Sequence, residues 1–364
     1  MRRTMLYSTL ILMILSIWYT AFRLHAHFGM VSFWVYQIAI VFIVAGCFYL
    51  FSIAARRPTP FLRTANIFGG YILMFFAYLS IFLPIAHVAL LIWNLPSLLA
   101  GQITLLAAFI ITATSAILGN MIVVRETTIK IPKLKNELRI MQITDAHIGL
   151  LYGREYLAMI VQKINAQNPD FIVITGDLTE GKAAIEQNML EPLGELNAPT
   201  FFVEGNHDNY TGIDAVLKTL AEKDVQILHN EVVETHGVQL IGLDYLNPDD
   251  NTPDMMLSAK GKPSMKSVLA ELPLKRDMPS VLIVHNPTGI SYAAAAGVDL
   301  VLAGHTHKGQ IFPFSIFAKI MFPYFGGLYR YENTQVFVSS GVGGIIARMR
   351  LGSYNEVNLL KLVP

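Results

Sequence analysis

The sequence predicts a two-part chain: four membrane-spanning helices, then a water-soluble α/β domain. Three observations carry this fold class. Of the 364 residues, 53% are hydrophobic and the mean hydropathy is +0.47, too apolar for an ordinary soluble protein. The excess lies before about residue 124, where there are six Arg but no Lys, Asp or Glu, so that Glu126 is the first acidic residue. All 26 acidic and 21 of the 27 basic residues fall in the remainder, where short apolar runs alternate with amphipathic stretches, the texture of a sheet with helices packed on it.

Domain one is expected over 1–125. Its apolar stretches, 4–22, 32–54, 67–93 and 102–124, are each near or above the roughly 20 residues that a spanning helix needs. The first, preceded by Arg2 and Arg3, has the charge pattern of a cleaved signal too, but no small-x-small site follows it. Arg2 and Arg3, then Arg56, Arg57 and Arg63, then Arg125, Lys130, Lys133 and Lys135 mark every second flank, and sparsely charged connections mark the others. By the positive-inside rule both termini and the soluble domain are cytoplasmic, an orientation that an odd number of spans would invert. The chain is thus expected to be a multi-pass protein of the cell membrane. His25 and His27 read as interfacial residues, and His87 as a hydrogen-bonding partner for a neighbouring helix.

Domain two, 126–364, opens on a charged junction over 126–137. Apolar runs at 139–144, 171–175, 200–203, 238–243, 280–284, 300–303, 335–339 and 357–362 read as strands of a buried sheet. Stretches such as 156–166 and 212–223 have helical periodicity. A formal net charge of +1 and scattered basic residues give no reason to expect a nucleic-acid partner. Cys47 is the sole cysteine, which rules out an intrachain disulfide or a thiolate cluster. Nothing in the sequence specifies an oligomeric state.

Five of these runs end in residues that hold metals. Asp145-Ala146-His147 follows the first, and a spacing of two in extended chain puts the carboxylate and the imidazole on one face. Gly176-Asp177 follows the second and Gly205-Asn206-His207-Asp208 the third; His285 and Gly304-His305-Thr306-His307 follow later ones. A mixed oxygen and nitrogen set suits Mn²⁺, Fe or Zn²⁺ better than Mg²⁺ or Ca²⁺, and seven candidate ligands suggest two divalent ions. Any one such residue is more often part of a turn or a core, but five strand-end clusters together are not. His229 and His236 read as surface or turn residues, and Asp244 as a turn carboxylate.

The order Asp-x-His, Gly-Asp, Gly-Asn-His-Asp, His, Gly-His-x-His resembles the calcineurin-like metallophosphoesterase family over about residues 138–364. The membrane-associated bacterial subgroup is the most similar, because Gly309-Gln310 and Ser340-Gly341-Val342-Gly343 follow the last block. Lys308 stands where that subgroup commonly has Gly, a departure that bears on substrate choice more than on the metals. The resemblance implies two packed sheets flanked by helices. It also implies one ion held by Asp145, His147, Asp177 and His307, and a second by Asp177, Asn206, His285 and His305.

Two ions about 3.5–4 Å apart acidify a water between them and clamp phosphoryl oxygens for in-line attack by the resulting metal-activated hydroxide. His207 would donate a proton to the leaving oxygen or stabilise phosphoryl charge, with Asp208 orienting its ring; the other role open to His207 is that of a third imidazole ligand. The expected activity is that of a membrane-anchored phosphohydrolase on a phosphoester or pyrophosphate, with a lipid or lipid-precursor substrate. A phosphodiesterase of soluble nucleotides and a membrane sensor with an idle site are the alternatives. Residues 311–331, with Phe312, Phe314, Phe317, Phe322, Tyr324, Phe325 and Tyr329 beside Lys319 and Arg330, read either as a lip entering the bilayer surface or as a loop packed on the protein.

Overall fold

The computed structural model describes residues 2–56, 58–252 and 262–364, with the side chains of 2–10 outside the description. Arg57 and the side chains of Arg2 and Arg3, on which part of the orientation argument rests, therefore lie outside the described residues. The chain divides into two compact units, Met1–Ile117 with Ile346–Arg348, and Leu118–Ile345 with Met349–Pro364.

Four helices make up the first unit: α1 (Arg2–Phe28), α2 (Phe33–Arg56), α3 (Pro60–Trp93) and α4 (Ser97–Leu118). Among the described residues, α2, α3 and α4 are long and apolar enough to cross a membrane. Helix α1 is 27 residues long and begins among side chains outside the description. Thr59 starts α3 by accepting a hydrogen bond from the Leu62 amide, with Pro60 in the first turn, and Asn94 ends it in the left-handed region at φ 47°. Large apolar side chains such as Phe42 and Leu91 stay exposed, as suits a surface solvated by lipid. His87 takes the hydrogen-bonding role expected of it, with its Nδ1 3.2 Å from the Tyr19 hydroxyl.

The last helix stops at Leu118 rather than near 124, and the apolar run Ile122-Val123-Val124 already belongs to a strand. Hydropathy cannot separate the two, because a buried strand is as apolar as a span. Strand β1 (Ile122–Lys130) pairs in parallel with β14 (Asn355–Val363), so the first part of the charged junction expected over 126–137 is edge strand.

In the second unit two six-stranded sheets share one core. The first runs β1-β14-β2-β4-β6-β7, with β2 (Leu138–Ile143), β4 (Phe171–Thr175), β6 (Thr200–Val203) and β7 (Val225–Ile227). In order, the second comprises β12 (Gly327–Tyr331), β13 (Thr334–Val338), β11 (Leu300–Ala303), β10 (Ser280–Ile283), β9 (Val238–Gly242) and β8 (Glu231–Thr235). A two-stranded ladder joins β3 (Ile148–Gly149) to β5 (Thr179–Glu180). The period of two sorts side chains between faces: Val281, Ile283, Leu300 and Leu302 enter the core between the sheets with Ile140, Phe171 and Val203, whereas Leu282, Val284, Val301 and Ala303 pack on the outer side with Met265 and Ile290. Helices α5 (Arg154–Asn165), α6 (Ala183–Glu186), α7 (Asn206–Thr211), α8 (Ile213–Ala221), α9 (Met265–Glu271), α10 (Ile290–Ala296) and α11 (Ser315–Met321) link the strands.

Strands β2, β4 and β6 are mutually parallel, as are β9, β10, β11 and β13, so the carboxyl ends within each sheet share one edge. All five ligand clusters sit directly after such ends.

Candidate metal centre

The carboxyl ends of β2, β4, β10 and β11 deliver six of the seven predicted ligands to two groups, and the seventh, Asn206, is buried after β6. Asp145, His147 and His307 bring one ligand atom each to within 4.8 Å of the others, and Asp177, His285 and His305 do the same. Within the first group His147 Nε2 and His307 Nε2 are 3.1 Å apart, and His307 Nε2 is 3.4 Å from Asp145 Oδ1. Within the second, His285 Nε2 lies 3.0 Å from Asp177 Oδ2 and 3.1 Å from His305 Nδ1. The groups adjoin: Asp177 Oδ2 is also 3.9 Å from His147 Nε2.

This convergence demands unusual backbone. Asp145, His147, Asp177, His305 and His307 all have φ between 47° and 71°, a region that non-glycine residues rarely occupy. Glycines make the close approaches: a Cβ on Gly205 would sit 2.2 Å from Asp177 Oδ1, and one on Gly304 would sit 2.3 Å from Asp145 Oδ2. Lys308 also has φ 49°, and its stem lies along Gly326, so the left-handed position left to glycine in the similar subgroup here carries a long side chain.

The donor set fits divalent cations. His285 Nδ1 faces the Thr175 carbonyl at 2.9 Å and His147 Nδ1 faces Glu180 Oε2 at 2.9 Å, both pure acceptors, so each Nδ1 carries the proton. The Nε2 lone pair of His285 then points at a carboxylate oxygen, and the two stay together only with a proton or a cation between them. Burial pushes His285 down, but the charge of Asp177 and its hydrogen bond outweigh this and raise the imidazole to about 9. At His307 burial, joined by the charges of His147 and Arg350, outweighs the charge of Asp145 and pushes the imidazole down to about 3. Buried Asn206 Oδ1 accepts no hydrogen bond among the described residues, as expected of an amide oxygen reserved for a hard cation.

His207 stands over this site with 23% of its side chain exposed, its ring edge-on to His147 at 4.7 Å between centroids. The group that holds it is Glu180, whose Oε2 lies 2.5 Å from His207 Nδ1. This corrects the expected part of Asp208. Its carboxylate is fully buried and accepts instead from the amide and hydroxyl of Thr179, each at 2.9 Å, and from the Gly205 amide at 2.9 Å. The short spacing after His207 turns Asp208 inward on the first turn of α7, where it ties the loop after β4 to the loop after β6. Burial and then the charge of Asp177 push its carboxyl up to about 6. At His207 burial lowers the pKa, but the hydrogen bond to Glu180 and the charge of Asp177 raise it overall, favouring the proton-donating form.

Comparison with known proteins agrees with this geometry. The calcineurin-like phosphoesterase family matches residues 138–309. An uncharacterized metallophosphoesterase of Aquifex aeolicus is 31% identical over 187 residues, which cover 51% of this chain and 68% of that protein. The chain belongs to the calcineurin-like metallophosphoesterase family. An uncharacterized metallophosphoesterase of Helicobacter pylori is 37% identical over 248 residues, 66% of this chain. A bovine transmembrane protein with metallophosphoesterase domain is 34% identical over 249 residues, 64% of this chain. The matched stretch spans 64% of the Helicobacter protein and 54% of the bovine one.

Two members of the site were not anticipated. Glu180 follows Asp177 by three residues, and the short strand β5 carries it back towards both His147 and His207. Arg350 is fully buried; Nη1 donates to the His307 carbonyl at 2.8 Å and Ser353 Oγ at 3.1 Å, Nη2 to the carbonyls of Ser340, Gly341 and Gly343 at 2.8, 3.0 and 2.5 Å, and Nε to Asn355 Oδ1 at 2.7 Å. A glutamate three residues beyond a ligand was a readable signal; nothing local marks Arg350. Asp244 is the turn carboxylate expected, bonded to His229 and Asn230, and His236 bonds Thr235 at its own turn.

Proposed function

We propose that this protein is a membrane-anchored, dinuclear metal-dependent phosphohydrolase that cleaves a phosphoester or pyrophosphate on a lipid or lipid precursor. The observation that carries this reading is the convergence of Asp145, His147, Asp177, His285, His305 and His307 from four strand ends, with the buried, unbonded Asn206 Oδ1 after a fifth and His207 beside His147. Asp145, His147, Asp177 and His307 would hold one divalent ion and Asp177, Asn206, His285 and His305 another, with Mn²⁺, Fe or Zn²⁺ suited to the donors. Bound there, the ions supply Lewis acidity and an acidified water.

The chain's own groups do the rest. His207, kept protonated by Glu180, gives its proton to the departing oxygen, a contribution of about 10² to 10⁴ in rate. Glu180 at the same time holds the His147 ring so that Nε2 faces the first ligand group. Four spanning helices would fix the domain at the cytoplasmic face, where lipid phosphates are the nearest substrates, and no feature of the charge distribution suits nucleic acid.

The test is hydrolysis of bis(p-nitrophenyl) phosphate by the full-length protein in detergent, stripped of metal and then reloaded with Mn²⁺, beside Asp177→Asn and His207→Ala. Activity should return with the metal, vanish in Asp177→Asn and fall by about a hundredfold or more in His207→Ala. A folded, reloaded protein with no activity would overturn the reading.

A further inference from the structure

We propose that helix α11 and the residues flanking it form a lip that lies in the bilayer interface beside the metal centre. The consequence for substrate, a phosphate borne by a membrane lipid, rests on the phosphohydrolase reading above; the placement of the lip does not.

The surface is the first reason. Helix α11 buries none of its residues, and Phe317, Ile320 and Met321 are 66%, 78% and 56% exposed. Phe312 and Phe314, just before the helix, are likewise exposed, at 50% and 43%. Water is a poor solvent for so many apolar side chains, and a single Lys319 among Ile, Phe and Met is the composition of an interfacial helix, with an apolar body and a cation to meet lipid headgroups. A segment packed on the α/β domain would bury at least one of these side chains.

Position supplies the second reason. The Phe312 amide donates to the Leu351 carbonyl at 2.8 Å, which fixes the start of the lip to the loop before β14. At the other end of that loop Asn355 Nδ2 donates to the carbonyl of Gly119 at 2.7 Å. Gly119 directly follows Leu118, the last residue of α4, and β1 begins at Ile122. Three connecting residues reach no more than about 10–14 Å, so the chain itself holds this edge of the domain at the surface that α4 leaves. The bilayer is therefore the partner that the tether places against the lip, ahead of a soluble protein. The far end of the lip reaches the chemistry: Phe322 packs edge-on against the His305 ring at 5.6 Å between centroids, and the Thr306 hydroxyl donates to the Phe325 carbonyl at 2.7 Å.

The experiment measures immersion and not catalysis. Full-length protein carrying Cys47→Ala and either Phe317→Cys or Ile320→Cys is labelled with a nitroxide and reconstituted in vesicles of phosphatidylcholine and phosphatidylglycerol, with Lys275→Cys as the exposed control. Power-saturation spectroscopy then compares collision with dissolved oxygen and with a water-soluble nickel chelate, and an unchanged thermal transition shows that each labelled protein is folded. We expect the oxygen-to-nickel ratio at 317 and 320 to exceed that at 275 several-fold. Equal ratios at all three positions would place the lip in water and overturn the proposal. Low collision rates with both reagents would also overturn it, because a second copy or another protein would then cover the face. Neither result depends on whether the protein hydrolyses phosphate.

Discussion

Glu180 touches two functional rings through one carboxylate oxygen, 2.9 Å from His147 Nδ1 and 2.5 Å from His207 Nδ1. Glu180→Gln should accordingly change two things at once. Loss of the outer partner of a ligating histidine costs about 10- to 100-fold in metal affinity or activity, which a Mn²⁺ titration of activity would register. The pH profile should move as well. If His207 acts protonated, as proposed, then with Glu180 helping to hold its pKa above the ordinary value activity should be lost as pH rises through that pKa. Removing the charge lowers it, and the alkaline limb should shift to lower pH; an unmoved limb would assign that limb to another group. Gly205→Ala tests the packing beneath. A methyl 2.2 Å from Asp177 Oδ1 forces the loop apart at a cost of about 1–3 kcal/mol, and calorimetry of the metal-free protein should show a lower melting temperature even before metal affinity is compared. The candidate ligands were legible because five strand-end clusters recur in one domain, although any one such residue alone is more often part of a turn or a core. The inward turn of Asp208 was not, since sequence spacing alone does not say which way the first turn of a helix faces.

At the level of elements, the strands buried on both faces, such as β4, β10 and β11, were the clearest in the sequence, since their unbroken apolar runs have no rival reading. Half-exposed edge strands were harder. Strand β8 (Glu231–Thr235) buries none of its residues, and β12 (Gly327–Tyr331) lies within the aromatic stretch 311–331 that reads as a lip or a packed loop. Strand β1 was masked by the apolar end of α4 for the reason already given. The segment after β13 was opaque for a different cause: its course depends on Arg350, whose partners are backbone carbonyls spread over residues 307–343 together with the side chains of Ser353 and Asn355. Arg350→Lys should expose how much the site depends on it. A lysine has three donors on one atom and cannot span the same carbonyls, and each buried carbonyl left unmet costs about 1–3 kcal/mol. The expected result is a lower melting temperature together with weaker Mn²⁺ binding, because the His307 and Gly341 loops lose a common anchor. Melting that is unchanged would mean that the loops hold themselves.

Taken as a whole, the α/β domain is two sheets whose shared core is apolar and whose shared edge is crowded with charge. Asp145, Asp177 and Asp208 lie buried together, and the neighbouring carboxylates raise one another's cost of ionisation. His285, raised to about 9 and so charged, offsets part of that cost in the metal-free protein, where the Asp145 carboxyl stays below its ordinary value despite its burial. Divalent ions would offset far more, and they would do so by joining β2, β4 and β6 of one sheet to β10 and β11 of the other. Metal binding is therefore linked to the stability of the whole domain. At a free metal concentration of about 100 times Kd one site adds roughly 2.7 kcal/mol, which for a domain of this size corresponds to a rise of about 5–10 °C in melting temperature. Calorimetry of the full-length protein in detergent with Mn²⁺ and then with excess chelator should show the α/β transition fall by that amount while the helical signal of the membrane unit persists to the same temperature. If the transition does not move, the two sheets are not bridged, and the six residues converge for reasons other than holding metal.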